Sequence, residues 1–298
     1  MIDIGSNLTS ESFKNDLPEV IQRAKKQGVS AIIATGTSAE SSINAQQLAA
    51  NYPQYLYSTA GVHPHEADHY SDQTEKTLSE LLASKGRKQI VAVGETGLDY
   101  YRNFSTQDNQ IKAFESQIQL AKDTQLPLFL HEREAFKDFY SIIKAHCHSL
   151  TNKAVVHCFT GNQEALKAYL DLGLYIGITG WISDKKRGEN LRQIIRYAPL
   201  ERLMIETDAP YLTPQQKGIK ELLPQHRRNE PCSLKFTAEK LAECLDINYQ
   251  TLIEATTKTT CDFFNLDQVA NERDFEEKAS WVPAGYRSEV RRECWFDS

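Results

Sequence analysis

The sequence predicts a (β/α)8 barrel. Eight short apolar runs alternate with helix-like stretches between residues 1 and 205, which is the element order of that architecture. Histidines and carboxylates stand at the ends of five of these runs, where a parallel barrel opens its mouth. No Gly-rich loop follows the first run, which argues against the other common α/β architecture, a doubly wound dinucleotide-binding sheet.

The strand-like runs cover residues 1–4, 29–35, 56–62, 90–94, 126–130, 153–156, 174–178 and 202–205. They are short and apolar, as strands buried on both faces are. The first helix is expected over 12–27, where Gly28 stops it. Ser38 caps the second, 38–51, and Pro53 ends it. The third covers 75–84 and ends near Gly86. The fourth, 106–124, is the longest and sets Ile111, Phe114, Ile118, Leu120 and Ala121 at helical spacing. Helices over 134–146, 163–172 and 189–198 follow. After the eighth run, a proline-bearing loop (213–231) leads to helices 234–245 and 249–264, expected to cover the barrel flank. Residues 267–298 differ in character: they are charged, carry Arg287, Arg291 and Arg292, and end with Trp295 and Phe296. The expected organisation is therefore one barrel domain, 1–266, and a charged C-terminal tail, 267–298.

The bulk numbers bound the function. A chain of 298 residues, 40% hydrophobic and 25% charged, suits a soluble globular protein. It has no run long and apolar enough for a membrane span. Its first residues lack the basic and apolar regions of a secretory signal. The six cysteines form no C-x-x-C pair and are expected as reduced thiols, which places the protein in the cytoplasm. A net charge of -6 argues against a broad basic surface for duplex nucleic acid. A polyanionic substrate is still allowed, because a bound divalent cation supplies positive charge locally.

The chemistry gathers at the strand ends. The eighth run passes straight into Glu206-Thr207-Asp208, two carboxylates on one face. The third ends in His63-Pro64-His65, the fourth in Glu95 to Asp99, the fifth in His131-Glu132-Arg133 and the sixth in His157-Cys158-Phe159. His63, His131 and His157 with Glu95 and Asp208 form a donor set able to hold one or two divalent cations. Two such ions about 4 Å apart are a recurring device for phosphoester hydrolysis. Asp208 is the candidate to take a water's proton. Glu206 is read as a supporting residue and Asp99 as a carboxylate that structures its loop. His65 and His69 lie out in a loop, His146 and His148 close a helix, and 185–187 mark a solvated helix start. Tyr100, Tyr101, Phe104, Phe159, Trp181 and Tyr211 are stacking candidates near the mouth, each more readily a packing residue, with Trp181 the best exception.

These segments are recognisable. Val91-Ala92-Val93-Gly94-Glu95-Thr96-Gly97-Leu98-Asp99, His157-Cys158-Phe159-Thr160-Gly161 and Ile205 to Leu212 resemble three motifs of the TatD family of metal-dependent deoxyribonucleases. Gly61-Val62-His63-Pro64-His65, Arg228-Asn229-Glu230-Pro231 and the opening Asp3 to Leu8 are similar to further family segments, and the resemblance spans about residues 1–266. It implies a TIM barrel of the metal-dependent hydrolase superfamily and a monomeric cytoplasmic nuclease. Such an enzyme trims single-stranded DNA, with RNA as a second substrate, from the 3′ end in DNA repair or degradation. It implies Glu95, His131, His157 and Asp208 as metal ligands, Asp208 also as water activator, and His63 and Arg133 as holders of substrate phosphate. One departure stands out: where many members carry His-x-His after the first strand, this chain has Gly5 and Asn7. Two fewer imidazoles make the site more oxygen-rich, favouring Mg2+, or Mn2+, over Zn2+. One tightly held ion, with a second arriving with substrate phosphate, is the expectation.

Two other functions use the same residues. The barrel and its metals could cleave an amide or ester, as an amidohydrolase or an aminoacyl-tRNA deacylase does, since fold and metals do not fix the substrate. A non-catalytic module that only grips nucleic acid is supported by the missing His-x-His alone.

Overall fold

Eight parallel strands form one sheet in sequence order: β1 (Ile2–Ser6), β2 (Ala31–Ala34), β3 (Leu56–Ala60), β4 (Ile90–Asp99), β5 (Leu128–Arg133), β6 (Ala154–Val156), β7 (Tyr175–Ile178) and β8 (Leu203–Ile205). The computed structural model describes residues 1–84, 88–146, 153–225 and 228–266. The 267–298 tail, Gly86, Cys147, His148 and Cys294 lie outside the described residues. The sheet closes just beyond β8. A parallel bridge joins Ser6 to Ala209, Asp208 N–H donates to Gly5 O at 2.8 Å, and Asn7 N–H donates to Ala209 O at 2.7 Å. The expected (β/α)8 barrel is the observed fold.

The helices are α1 (Leu17–Lys26), α2 (Ala39–Asn51), α3 (Asp72–Ala83), α4 (Gln107–Thr124), α5 (Phe136–His146), α6 (Gln163–Asp171), α7 (Glu189–Ile194), α8 (Ile219–Leu222), α9 (Leu234–Leu245) and α10 (Tyr249–Phe264). Side-chain caps from Ser38, Ser71, Thr106 and Asn162 start α2, α3, α4 and α6. Ser71 starts α3 three residues ahead of the expected position. The first helix is shorter than its periodicity suggests: residues 11–13 form a 3-10 turn, and α1 begins only at Leu17, with Pro18 in its first turn. Proline there costs no hydrogen bond but would break a helix running through from residue 12.

Two strands run further than their apolar cores. β4 continues through Glu95 to Asp99, and β5 through His131 to Arg133. Gly94 and Gly97, at φ +138° and +145°, bring β4 hard against the β5 backbone, and the register shifts between Val93 and Thr96. Glu95, Asp99, His131 and Arg133 thus sit on strands, which fixes their directions.

The core has two main parts. One lies between the sheet and its helices and includes Ile32, Leu56, Phe114, Leu130, Ile176 and Leu241. The other joins Ile2, Ile4, Ile33, Phe129, Val155 and Met204 to Phe263, Phe264 and Leu266. This second cluster draws on six strands and on a single helix end, so it fills the barrel interior. Helix α10 therefore does more than cover the flank: its last turn plugs the barrel. Among the described residues no helix is long and apolar enough to cross a membrane.

Candidate metal centre

Glu95 stands at the middle of the mouth. Its Oε1 is approached by three imidazole nitrogens: His157 Nε2 at 2.7 Å, His131 Nδ1 at 2.9 Å and His63 Nε2 at 3.2 Å. Ligand-capable atoms of His63, Glu95 and His131 lie within 4.8 Å of one another, a candidate metal-binding triad. The site is built from four strand ends, β3 to β6.

What stands behind each ring sets its orientation. His157 presents Nε2 to Glu95, and its Nδ1 lies 3.3 Å from Glu206 Oε2. His131 presents Nδ1 to Glu95, and its Nε2 faces Asp99 Oδ2 at 3.5 Å. A carboxylate behind an imidazole draws the ring proton to that side and leaves the other nitrogen's lone pair free to bind a cation. His63 has the opposite support. Its Nδ1 accepts the backbone N–H of His65 at 3.1 Å, so in the neutral ring Nε2 carries the proton and donates toward Glu95.

Glu206 and Asp208 part company: β8 ends at Ile205, so the two carboxylates do not share a strand face as their spacing predicts. Glu206 is fully buried, accepts the Cys158 N–H at 2.5 Å through Oε1, and serves His157 through Oε2. Asp208 is half-buried, at φ +52°, and accepts from the Asn7 amide at 3.0 Å. Arg133 lies outside the cluster, at the rim, with its guanidinium 3.9 Å from the Tyr101 ring centroid. His69 pairs only with exposed Glu66, at 3.3 Å.

Charge is unevenly settled here. Burial pushes the Glu95 carboxyl up, but His157 and His63 outweigh it and hold it well below the usual range. Burial pushes His157 down, but Glu95 and Glu206 raise it well above an ordinary histidine. His131 is raised in the same way, by Asp99 and Glu95 against burial. His63 is lowered to about 4 by burial and stays neutral. Asp208 is pushed up to about 7, by burial first, with His157 opposing and Glu95 and Glu206 adding. The cluster thus holds protons at His131, His157 and Asp208 that a cation would replace. The donor set fits a divalent metal: a carboxylate stands behind each of His131 and His157, so that His131 Nδ1 and His157 Nε2 both turn toward one oxygen of Glu95.

Three supporting residues were not expected from sequence. Asp99 does hold its loop, accepting Tyr101 N–H and Arg102 N–H through Oδ1, but its Oδ2 also faces His131 and takes His65 at 2.7 Å. Asp3, fully buried, accepts Thr207 N–H at 2.9 Å and the Thr207 hydroxyl at 2.5 Å. Asn229 donates to Thr207 O at 3.1 Å. An aspartate inside the apolar first run was the signal for Asp3. Asn229 lay in a segment noticed for its resemblance, with nothing to say what it touched.

Comparison with known proteins agrees with this geometry. The model of the TatD-related DNase family matches residues 2–265. The chain is 44% identical over 266 residues to the 3′-5′ ssDNA/RNA exonuclease TatD of Rahnella sp. (strain Y9602), spanning 89% of this chain and 98% of that protein. It is 48% identical over 242 residues to the protein of the same name from Pantoea sp. (strain At-9b), spanning 81% and 90%. The crystal structure of YJJV, a TatD homologue from Escherichia coli k12, superposes with a TM-score of 0.81 at 30% identity, covering 90% of this chain and 98% of that one.

Proposed function

Because the chain belongs to the TatD-related DNase family, we propose that it is a metal-dependent exonuclease that removes nucleotides from the 3′ end of single-stranded DNA and RNA. The observation that carries this reading is the convergence on Glu95 of two carboxylate-backed imidazoles, His131 and His157, beside the aspartate Asp208.

A cation bound there supplies a nucleophile at neutral pH and offsets charge on a phosphodiester. We assign Glu95, His131, His157 and Asp208 as its ligands. Asp208 also takes the proton of the attacking water, with the Asn7 amide fixing its Oδ1. His63 donates Nε2–H to a substrate phosphate, a role that its ring proton suits better than ligation. Arg133 supplies a second phosphate contact from the rim. Mg2+ is the proposed metal, with Mn2+ and Zn2+ as alternatives. Loss of the first-strand imidazoles favours the hard ions, and the two ring nitrogens that remain suit Mn2+ as well. The reading includes the barrel as residues 1–266 with a separate tail, a monomer, and the cytoplasm, where reduced thiols such as Cys158, Cys232 and Cys244 persist.

The test is digestion of end-labelled single-stranded and duplex DNA with Mg2+, Mn2+ or Zn2+ and with chelator, beside release of amino acid from an aminoacyl ester. Stepwise, metal-dependent shortening of the single strand from its 3′ end is expected, and Asp208→Asn should slow it by roughly 100-fold or more. Ester cleavage without shortening would move the protein to the amidohydrolases. No metal-dependent turnover of any substrate would leave a binding module.

A further inference from the structure

The β4–α4 turn carries two aromatic rings in water. Tyr101 is 55% and Phe104 64% exposed, although both sit on a turn that is held at many points. Asp99 Oδ1 accepts from Tyr101 N–H and Arg102 N–H, and Tyr100 N–H donates to Arg133 O at 2.9 Å. Asn103 Nδ2 donates to Tyr100 O at 2.6 Å. Gln110 Nε2 donates to Ser105 O and Asp99 O. The rings are therefore presented by a fixed backbone rather than by a frayed loop. Large apolar side chains kept exposed on such a frame mark a contact surface.

Its place and charge say what it contacts. Asp99 both pins this turn and faces His131 with its other oxygen. Phe104 packs edge-on against His65, centroids 4.8 Å apart, and His65 against His63 at 4.2 Å. Two ring contacts thus separate the platform from the imidazole assigned to the substrate phosphate. The platform is also cationic. Arg133 lies 3.9 Å from the Tyr101 ring centroid, and Arg102 lies 5.9 Å from Tyr101 and 5.8 Å from Phe104. Flat rings interleaved with guanidinium groups suit an unpaired nucleobase whose phosphate is nearby. Of the other stacking candidates, Tyr211 is also exposed, at 60%, and the remaining three are committed elsewhere. Phe159 is buried in the core. Trp181 donates its indole N–H to Arg187 O and is covered by the Arg187 guanidinium at 4.3 Å. The Tyr100 hydroxyl donates to Asp138.

We propose that Tyr101 and Phe104, flanked by Arg102 and Arg133, form a base-stacking subsite for the nucleotide next to the scissile phosphate, and that this subsite selects single strands. A base must leave its partner to offer a face to these rings, so a paired terminus is a poor substrate. The proposal rests on the exonuclease reading and deepens it.

Tyr101→Ala, Phe104→Ala and the double variant, made in the full chain and assayed with Mg2+, test it. One substrate is an ordinary single-stranded oligomer, and the other is the same oligomer with abasic residues at its 3′ end. The expected result is a wild-type preference for the base-bearing oligomer, in kcat/KM, that shrinks by about 5- to 100-fold per ring removed, mainly through KM, while Tyr101→Phe retains it. An unchanged preference, or equal losses on both oligomers, would overturn the subsite. Affinity for the uncleaved oligomer, read by fluorescence anisotropy, separates the two ideas. If the wild type binds it but never shortens it, the exonuclease reading fails, and the stacking subsite stands or falls by whether the variants bind more weakly.

Discussion

The carboxylate of Glu206 occupies the space that a side chain on Gly5 would need. A β-carbon at position 5 would collide with Glu206 Oε2, and one at Gly177 would come within 2.7 Å of Glu206 Oε1. Two glycines on opposite sides thus make room for one buried carboxylate, whose oxygens hold the Cys158 N–H and His157. Glycine at position 5, where a first-strand imidazole is missing, thus leaves Glu206 the room in which it reaches His157. Gly5→Ala should cost about 1–3 kcal/mol by overpacking and weaken metal binding through a displaced His157. Glu206→Asp, one carbon shorter, should recover part of the loss in the Gly5→Ala background. Thermal unfolding and metal titration on the double-mutant cycle would show that coupling, and strictly additive effects would contradict it.

The support behind each ring separates the histidines by role. His131→Ala and His157→Ala remove the carboxylate-backed imidazoles proposed as ligands and should lower metal affinity at least tenfold. His63→Ala removes a ring that receives the His65 N–H and offers a proton. It should leave the tight metal affinity within a few-fold, yet raise KM or lower kcat on an oligonucleotide. Calorimetric titration beside steady-state kinetics makes the comparison. A metal affinity that collapses in His63→Ala would place that imidazole among the ligands instead.

Metal uptake should release protons. His131 and His157 are raised by their carboxylates, and Asp208 is raised to about 7, so all three hold protons near neutrality that a cation must displace. Apparent affinity should then rise with pH through neutrality and fall as the medium is acidified. Titration in two buffers of different ionisation enthalpy counts the released protons directly. A pH-independent affinity between pH 6 and 8 would mean that the site is already deprotonated.

A second titration belongs to stability. Burial pushes the Asp3 carboxyl from 3.8 up to about 8, against the hydrogen bonds from Thr207. A carboxyl raised in the folded state binds its proton more tightly there than in the unfolded chain. Its contribution is complete below pH 3.8 and is lost progressively as pH rises through that value to about 8. Asp3→Asn, which stays neutral, should lack this loss. The stability of the variant relative to the wild type should therefore climb with pH across that window, by at most about 1.4 kcal/mol per pH unit. Denaturant midpoints measured from pH 5 to pH 9 test the sign, and a variant whose stability relative to the wild type falls as pH rises would contradict it.

The barrel was legible because strand ends and helix spacing are local signals. Helices 234–245 and 249–264 stand where their periodicity put them, and the expected metal ligands Glu95, His131 and His157 converge. What escaped depends on contacts between distant residues. Nothing near Phe263 and Phe264 says that they plug a barrel built some 60 residues or more earlier. Trp181 is the stacking ring that the sequence favours, but its indole donates to the carbonyl of Arg187, six residues on. Tyr101 and Phe104 looked no better than their neighbours until exposure and the Asp99 anchor separated them. Pro18 is the local signal that the first helix starts late, at Leu17 and not at residue 12.

Asn229 links the segment before α9 to the backbone on either side of Asp208, the residue assigned the water's proton. Asp208 sits at φ +52°, a left-handed conformation that aspartate tolerates better than most residues but that is uncommon outside glycine. Such a conformation persists only when its surroundings fix it. Asn229 fixes both flanks: its amide donates to Thr207 O at 3.1 Å, and its backbone N–H donates to Pro210 O at 3.0 Å. Its own oxygen is held by the Ser233 hydroxyl at 2.6 Å. The same segment is anchored to α1 by Arg228 and Glu230, which share an ion network with Asp16 and Arg23. Asn229→Ala would leave the buried Thr207 carbonyl and the Ser233 hydroxyl without these partners, at a cost of about 1–3 kcal/mol. Turnover should fall about tenfold or more beyond what residual unfolding explains, because Asp208 loses the frame that aims it. Asn229→Ser should restore neither effect, since it is too short to reach Thr207. Ser233→Ala, which removes only the outer bond, should lower stability while sparing most of the turnover. Equal turnover losses in Asn229→Ala and Ser233→Ala would mean that Asn229 holds the fold and not the aspartate.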